Sequence, residues 1–384
     1  MMPSQDDRDG REDSADGRRA VPDFEDFQNP VKVFHNIDRV YELLTTGDTR
    51  PVHMTIGLTN YCNHRCKWCY IDWNQAKRTG EDGQQRAINA DWRLIEAVAD
   101  AHRLGLKAVT IVGDGEPTLH PLFIDMLERL AELGLNIGIF SNFSMRKAGI
   151  LEAMARHCFF VRGSIDAARA ETHRICHGSD DFALVIANLR RLVEIRAGTK
   201  RPIIGVQYVT NQWNYQDLPY AAQLFRDLGV DYMTIKPAYK NQLNPDHPEN
   251  TIDNQEVFGY MRQAQAESTN IFKVYAKYPQ FVEVVEHATN DARHYQKCLA
   301  TPLSPYLDED GKVEMCGNLK GRGFTMGSIL EHSFEEIWNS ARRKDCLSRI
   351  DLFKCPSGCK LDPLNKVLWD ACNPNEDIIH PNFI

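Results

Sequence analysis

Cys62, Cys66 and Cys69 stand together in the run Cys-Asn-His-Arg-Cys-Lys-Trp-Cys. Three thiolates at this spacing on one short loop can hold three irons of a [4Fe-4S] cube and leave the fourth iron open to an outside ligand. Structural zinc normally takes a fourth protein ligand at comparable reach, and the run of two-cluster ferredoxins has a different spacing and a Cys-Pro ending. A second group lies in the tail: Cys298, Gly311-Lys-Val-Glu-Met-Cys316, and Cys355-Pro-Ser-Gly-Cys359. Four thiolates suit either a second cluster or a four-cysteine zinc site. Cys346 and Cys372 are spares that could replace one of these ligands, and Cys158 and Cys176 read as buried thiols. With 11 cysteines and no secretory signal at the N-terminus, the chain points to metal or redox chemistry before disulfides.

The elements that must carry these loops alternate between strand and helix. Met54–Leu58, Ala108–Val112, Asn136–Phe140, Phe159–Ile165, Ile203–Val209 and Tyr232–Lys236 read as strands of a covered sheet. Asp91–Leu104, the stretch from Pro121 to Gly134, and Asp181–Arg196 read as helices between them. The fold expected is α/β, a partial (βα)6 TIM-like barrel with a small C-terminal cluster-binding domain and its functional groups at the strands' C-terminal ends. The domains expected are a disordered acidic tail over 1–22, a helical extension over 23–50, the barrel over 51–240, a helical linker over 241–290 and the auxiliary domain over 291–384.

With the aromatic Trp68 completing CxxxCxΦC, the chain resembles the radical S-adenosylmethionine (SAM) superfamily over roughly 52–238. Gly113-Asp114-Gly115-Glu116-Pro117 is similar to that superfamily's GGEP element, with Asp114 where the element has its first Gly. The resemblance implies that SAM chelates the open iron, and that a 5′-deoxyadenosyl radical abstracts substrate hydrogen. It implies SAM contacts for Trp68, Asp114, Gly115, Glu116 and Pro117, and for Ser141, Asn142 and Ser164. It also implies a flavodoxin- or ferredoxin-type electron donor. The tail resembles the SPASM and Twitch extensions of the superfamily. It lacks the CxxC-x5-CxxxC block of a full SPASM domain, so Cys298, Cys316, Cys355 and Cys359 are expected to hold one auxiliary [4Fe-4S] cluster.

Asp166 and Lys236 at strand ends are the expected catalytic, substrate-side residues, together with Cys372 as a thiol near the active site; Asp114, Gln207 and Tyr239 are further strand-end candidates. His173 and His177, without an evident carboxylate partner, read as lying on a solvated helix face. The net charge of -8 gathers at the N-terminus, where residues 1–30 hold nine acids against four Arg. A near-neutral body argues against a large nucleic-acid footprint. No apolar run is long enough to cross a membrane, and a cytoplasmic location is expected. The short region before the first strand leaves little room for a leader-peptide recognition domain. This favours a small-molecule substrate: a carbohydrate, aminocyclitol or nucleoside intermediate of antibiotic biosynthesis, as in the related 2-deoxy-scyllo-inosamine dehydrogenase. Oxidation and redox-neutral epimerisation, dehydration or decarboxylation stay open. The alternatives are modification of a ribosomally made peptide and, outside enzymes, an iron–sulfur electron carrier.

Overall fold

The computed structural model describes residues 29–69, 87–238, 250–286, 293–355 and 358–373. The expected acidic tail and Tyr239 lie outside the described residues. Among the described residues, ten strands form one sheet in the order β10-β9-β8-β1-β2-β3-β4-β5-β6-β7. They are β1 (His53–Gly57), β2 (Ala108–Val112), β3 (Asn136–Ser141), β4 (Cys158–Ser164), β5 (Ile203–Thr210), β6 (Tyr232–Pro237), β7 (Lys273–Ala276), β8 (Tyr306–Leu307), β9 (Lys312–Glu314) and β10 (Thr325–Ser328). Strands β1 to β7 pair in parallel, in chain order. The helices are α1 (Ile37–Thr46), α2 (Trp92–Arg103), α3 (Phe123–Glu132), α4 (Ile150–His157), α5 (Ala170–His177), α6 (Phe182–Arg196), α7 (Leu218–Leu228), α8 (Asn254–Ala266), α9 (Tyr278–Phe281), α10 (Phe334–Asn339), α11 (Ala341–Ser348) and α12 (Asp362–Asp370).

Side-chain alternation along the strands explains the two faces. Met54, Ile56, Val109, Ile111, Ile137, Ile139, Val161, Ile204, Val206, Met233 and Ile235 are buried in the main core with the apolar stripes of the helices. The alternate positions Thr110, Val112, Phe140, Ser164, Gln207 and Lys236 keep partial exposure, so the other face borders an open chamber. The sheet is curled around it. Lys360 acts electrostatically on both His53 in β1 and Lys236 in β6, strands five places apart.

The tail extends this sheet. Strand β8 runs parallel beside β1, with Thr55 opposite Tyr306, and β8–β10 form an antiparallel meander. Val40 and Leu43 of α1 share a second core with Leu303 and Leu368. Buried Arg343 donates to Asp48 at 2.6 Å and lies 3.8 Å over the Trp338 ring. Within the stretch expected to be a helical linker, the structure places β7 on the free edge of β6. Val274 packs into the core while its neighbours stay half-buried, an alternation confined to four residues and obscured in sequence by the helices on either side.

Candidate functional site

The first cysteine loop follows β1 and is pinned from three sides. Beneath it, Gly115 N–H donates to Thr59 O at 3.0 Å and Glu116 N–H to Tyr61 O at 2.8 Å. A Cβ on Gly115 would stand 2.1 Å from Tyr61 O, so only glycine lets the loop lie this close. On the second side, Asn63 donates to Ser144 Oγ at 2.9 Å, and Asn142 Nδ2 donates to Asn63 Oδ1 at 2.8 Å. On the third, Arg65 N–H and Lys67 N–H donate to the carbonyls of His177 and Cys176, at 2.7 and 3.1 Å, at the end of α5. Burial pushes the Cys66 thiol up, and Cys69 and Cys62 push it further, which places the three sulfurs within electrostatic reach of one another. This donor set fits three corners of an iron–sulfur cube.

Glu116 is a hub between β2 and β3. Its carboxylate accepts from Thr118 Oγ1 at 2.7 Å, Ser141 Oγ at 2.8 Å and Asn142 N–H at 2.6 Å, and burial raises its pKa. Glu116 and the Ser141-Asn142 pair, expected separately from the resemblance as SAM contacts, form one hydrogen-bonded unit. Trp68 is buried, stacked 6.2 Å from Trp213 and hydrogen-bonded to Asp166. Ser164 ends β4, paired with Gln207.

Asp166 accepts from Val209 N–H at 2.6 Å. Burial lifts its pKa to about 7, against that hydrogen bond, Lys236 and Trp68. Burial also lowers Lys236 to about 8, helped by Arg162 and opposed by Asp166. The two expected substrate-side residues therefore share one neighbourhood. The solvated-face reading of the histidines is overturned, because His173 and His177 are each 1% exposed. His173 Nε2 pairs with Asp181 Oδ1 at 3.0 Å and His64 Nε2 with Asp181 Oδ2 at 3.1 Å, while Ser144 donates to the same carboxylate. His177 Nε2 accepts from Asp166 N–H at 3.1 Å, which fixes the proton on Nδ1 and aims it at Cys66 Sγ, 3.1 Å away. Asp181 was missed because an Asp before a helix reads as an N-cap; here it makes no cap bond and serves the histidines instead.

The tail cysteines converge as well. Burial raises the Cys316 thiol, and Cys359, Cys298 and Cys355 add to the rise. Asn318 donates to Cys359 Sγ at 3.5 Å and Asn365 to Cys298 Sγ at 3.6 Å. Cys346 is engaged elsewhere, between Thr325 O and Arg349, and Cys372 is exposed after α12. Between the two cysteine groups lies a buried ion network. Lys320 Nζ is 2.7 Å from Asp114, 3.3 Å from Asp308 and 3.5 Å from Glu309, so the tail grips the Gly-Asp-Gly-Glu-Pro element through its Asp.

Comparison with known proteins agrees with this geometry. Residues 56–218 match the radical SAM superfamily and residues 298–361 match an iron–sulfur cluster-binding domain, SPASM. A tungsten-containing aldehyde ferredoxin oxidoreductase cofactor-modifying protein of Pyrococcus furiosus is 25% identical over 303 residues, which is 76% of this chain and 81% of that protein. The subtilosin biosynthesis protein AlbA of Bacillus subtilis is 22% identical over 78% of this chain and 63% of its own length. A GTP 3′,8-cyclase of Synechococcus elongatus is 25% identical over 48% of this chain and 54% of its own length. In fold, the chain is similar to Streptococcus suis SuiB bound to its precursor peptide SuiA, with a TM-score of 0.63, 16% identity, and 86% and 77% of the two chains covered. It is also similar to anSMEcpe with bound SAM, with a TM-score of 0.56, 12% identity, and 84% and 97% covered. The chain is a radical SAM superfamily protein with a C-terminal SPASM domain, and its cofactors are a SAM-binding [4Fe-4S] cluster, SAM and auxiliary iron–sulfur chemistry.

Proposed function

We propose that this protein is a radical SAM enzyme that abstracts hydrogen from a peptide substrate. Cys62, Cys66 and Cys69 hold the SAM-binding cluster, and Cys298, Cys316, Cys355 and Cys359 hold one auxiliary cluster. When bound, the cluster and SAM supply reductive cleavage of SAM and the hydrogen-abstracting radical that follows. The chain's own residues do the positioning. Gly115 lets the cysteine loop seat against β2, and Glu116 locks that seat to Ser141 and Asn142. His177 donates its Nδ1 proton to Cys66. Gly115, Ser141, Asn142 and Ser164 line the SAM side. Asp166 and Lys236, next to Trp68, face the substrate side, where their pKa values near 7 and 8 suit proton exchange close to neutrality.

The observation that carries the substrate class is how far each likeness extends. AlbA, named for a bacteriocin's biosynthesis, matches 78% of the chain, and the solved fold with SuiA peptide bound covers 86%. The likeness to GTP 3′,8-cyclases covers 25–48% of the chain. This supports a peptide over the carbohydrate, aminocyclitol or nucleoside substrate expected from sequence. The test is co-expression with each short open reading frame flanking the gene, followed by intact-mass measurement of the peptides. A mass change that disappears in Cys62→Ala supports the reading. Unmodified peptides, together with 5′-deoxyadenosine production driven by a sugar or nucleotide, would reject it.

A further inference from the structure

Arg162, in β4, turns into the chamber and is 7% exposed. Its guanidinium lies 4.9 Å from the centre of the Phe140 ring, 5.4 Å from Tyr232 and 5.8 Å from Phe160, and its Nε donates to Tyr232 Oη at 2.9 Å. This aromatic floor is built with two glycines inside strands. A Cβ on Gly138 would stand 2.1 Å from the Phe160 ring, and one on Gly205 would stand 2.1 Å from the Tyr232 ring. Glycine weakens a strand interior, so two placed where rings must lie flat on neighbouring strands mark a shaped surface rather than a filled core.

Among the described residues no carboxylate forms an ion pair with Arg162, and its one hydrogen bond is the Nε donation to Tyr232 Oη, which leaves the two Nη groups of the fork unused. The charged groups that respond to it are of like sign: Lys236, Lys277 and Lys32 are each lowered by burial and then by Arg162. The acid of this neighbourhood, Asp166, is engaged by Val209 N–H. Keeping a buried cation among cations costs stability, and a planar fork of unused donors is suited to one class of partner.

We propose that Arg162, with Lys236 and Lys277 beside it, forms an oxyanion subsite in the barrel chamber that receives an acidic group of the substrate. The proposal rests on the reading of this chamber as the place where substrate is held. If the substrate is a peptide, the group is a carboxylate; a phosphorylated small molecule would offer the same chemistry through its phosphate.

The test uses the full-length, anaerobically reconstituted protein at low ionic strength, titrated calorimetrically with glutarate and separately with inorganic phosphate, against chloride at matched ionic strength. Wild type is expected to bind one anion per chain. Arg162→Gln should weaken that binding about ten- to a hundredfold, as loss of a charge-assisted hydrogen bond does. Arg162→Lys should fall between, keeping the charge and losing the fork. The melting temperature of Arg162→Gln without anion should be unchanged or higher, since a strained cation has been removed. Lys277→Gln, off the aromatic floor, gives an independent reading, with severalfold weaker anion binding expected. Preference for glutarate supports a carboxylate-bearing substrate. Preference for phosphate supports the subsite and counts against a peptide. Failure of wild type to bind either anion, or equal binding by Arg162→Gln and Lys277→Gln, overturns the subsite and leaves the peptide reading to its own co-expression test.

Discussion

Replacing Gly115 by Ala inserts a methyl group 2.1 Å from Tyr61 O and 2.6 Å from the Asn60 carbonyl carbon. Both neighbours are backbone, so no side chain can swing away, and the loop must retreat by roughly 1 Å to restore ordinary contact. That retreat stretches the bonds from Gly115 N–H to Thr59 O and from Glu116 N–H to Tyr61 O, now 3.0 and 2.8 Å. Overpacking costs about 1–3 kcal/mol and each of the two weakened buried bonds about 1 kcal/mol, so seating the loop should become about 3–5 kcal/mol less favourable. Cys62 directly follows Tyr61, so the strain falls on one of the three thiols proposed to hold the SAM-binding cluster. Gly113→Ala is the control, because its Cβ would meet nothing nearer than 3.4 Å. The assay is iron and sulfide content after anaerobic reconstitution, followed by the yield of 5′-deoxyadenosine. Gly115→Ala should lose SAM cleavage at least tenfold, since about 1.4 kcal/mol already corresponds to that factor. Gly113→Ala should stay within about twofold. Wild-type cluster content, cleavage and melting temperature in Gly115→Ala would refute the claim that this close approach seats the loop.

His177→Phe removes the donor to Cys66 Sγ while keeping a ring in the stack with His173; the SAM-binding cluster's midpoint potential should fall, and an unchanged potentiometric titration would make His177 a packing residue. Burial first, and then Asp114, raise Glu309 to about 8, against Lys320. The folded pKa thus lies above the unfolded value of about 4.3, so the stability this group contributes is present at low pH and is lost as pH rises toward 8. Urea midpoints at about pH 6 and 8 should therefore diverge more in wild type than in Glu309→Gln, and parallel behaviour would contradict the assignment. Arg343→Met strips the partner from Asp48 and the cation from the Trp338 ring, and should cost about 2–4 kcal/mol in chemical denaturation, discounted because Asp48 is partly exposed. A loss below about 0.5 kcal/mol would show that this pair does not dock the tail.

Thiolates at close spacing made the Cys62, Cys66 and Cys69 loop legible without a structure, whereas the tail cysteines and the Gly-Asp-Gly-Glu-Pro element were legible through their resemblance to the superfamily's motifs. The strand readings were accurate to within a residue or two because the buried faces repeat every second position; Ala108–Val112 coincides with its strand. What stayed hidden depends on contacts distant in sequence. His64 meets Asp181 across 117 residues and Lys320 meets Asp114 across 206, and no local pattern announces either pairing. The histidines of α5 have a helical spacing that reads equally well as a solvated face; the partners that bury them arrive from elsewhere, Asp181 at the start of α6 for His173, and Asp166 N–H and Cys66 for His177. Arg162 sits mid-strand among apolar residues, and nothing nearby in the chain reveals that two glycines on other strands clear its floor.

The central claim is that Cys62, Cys66 and Cys69 make this a SAM-cleaving protein. Anaerobic reconstitution, reduction with dithionite and quantification of 5′-deoxyadenosine and methionine test it directly. Wild type should form both, and the Cys62→Ala/Cys66→Ala/Cys69→Ala variant should form neither while retaining the iron of the tail. Continued SAM cleavage by that triple variant would contradict the account.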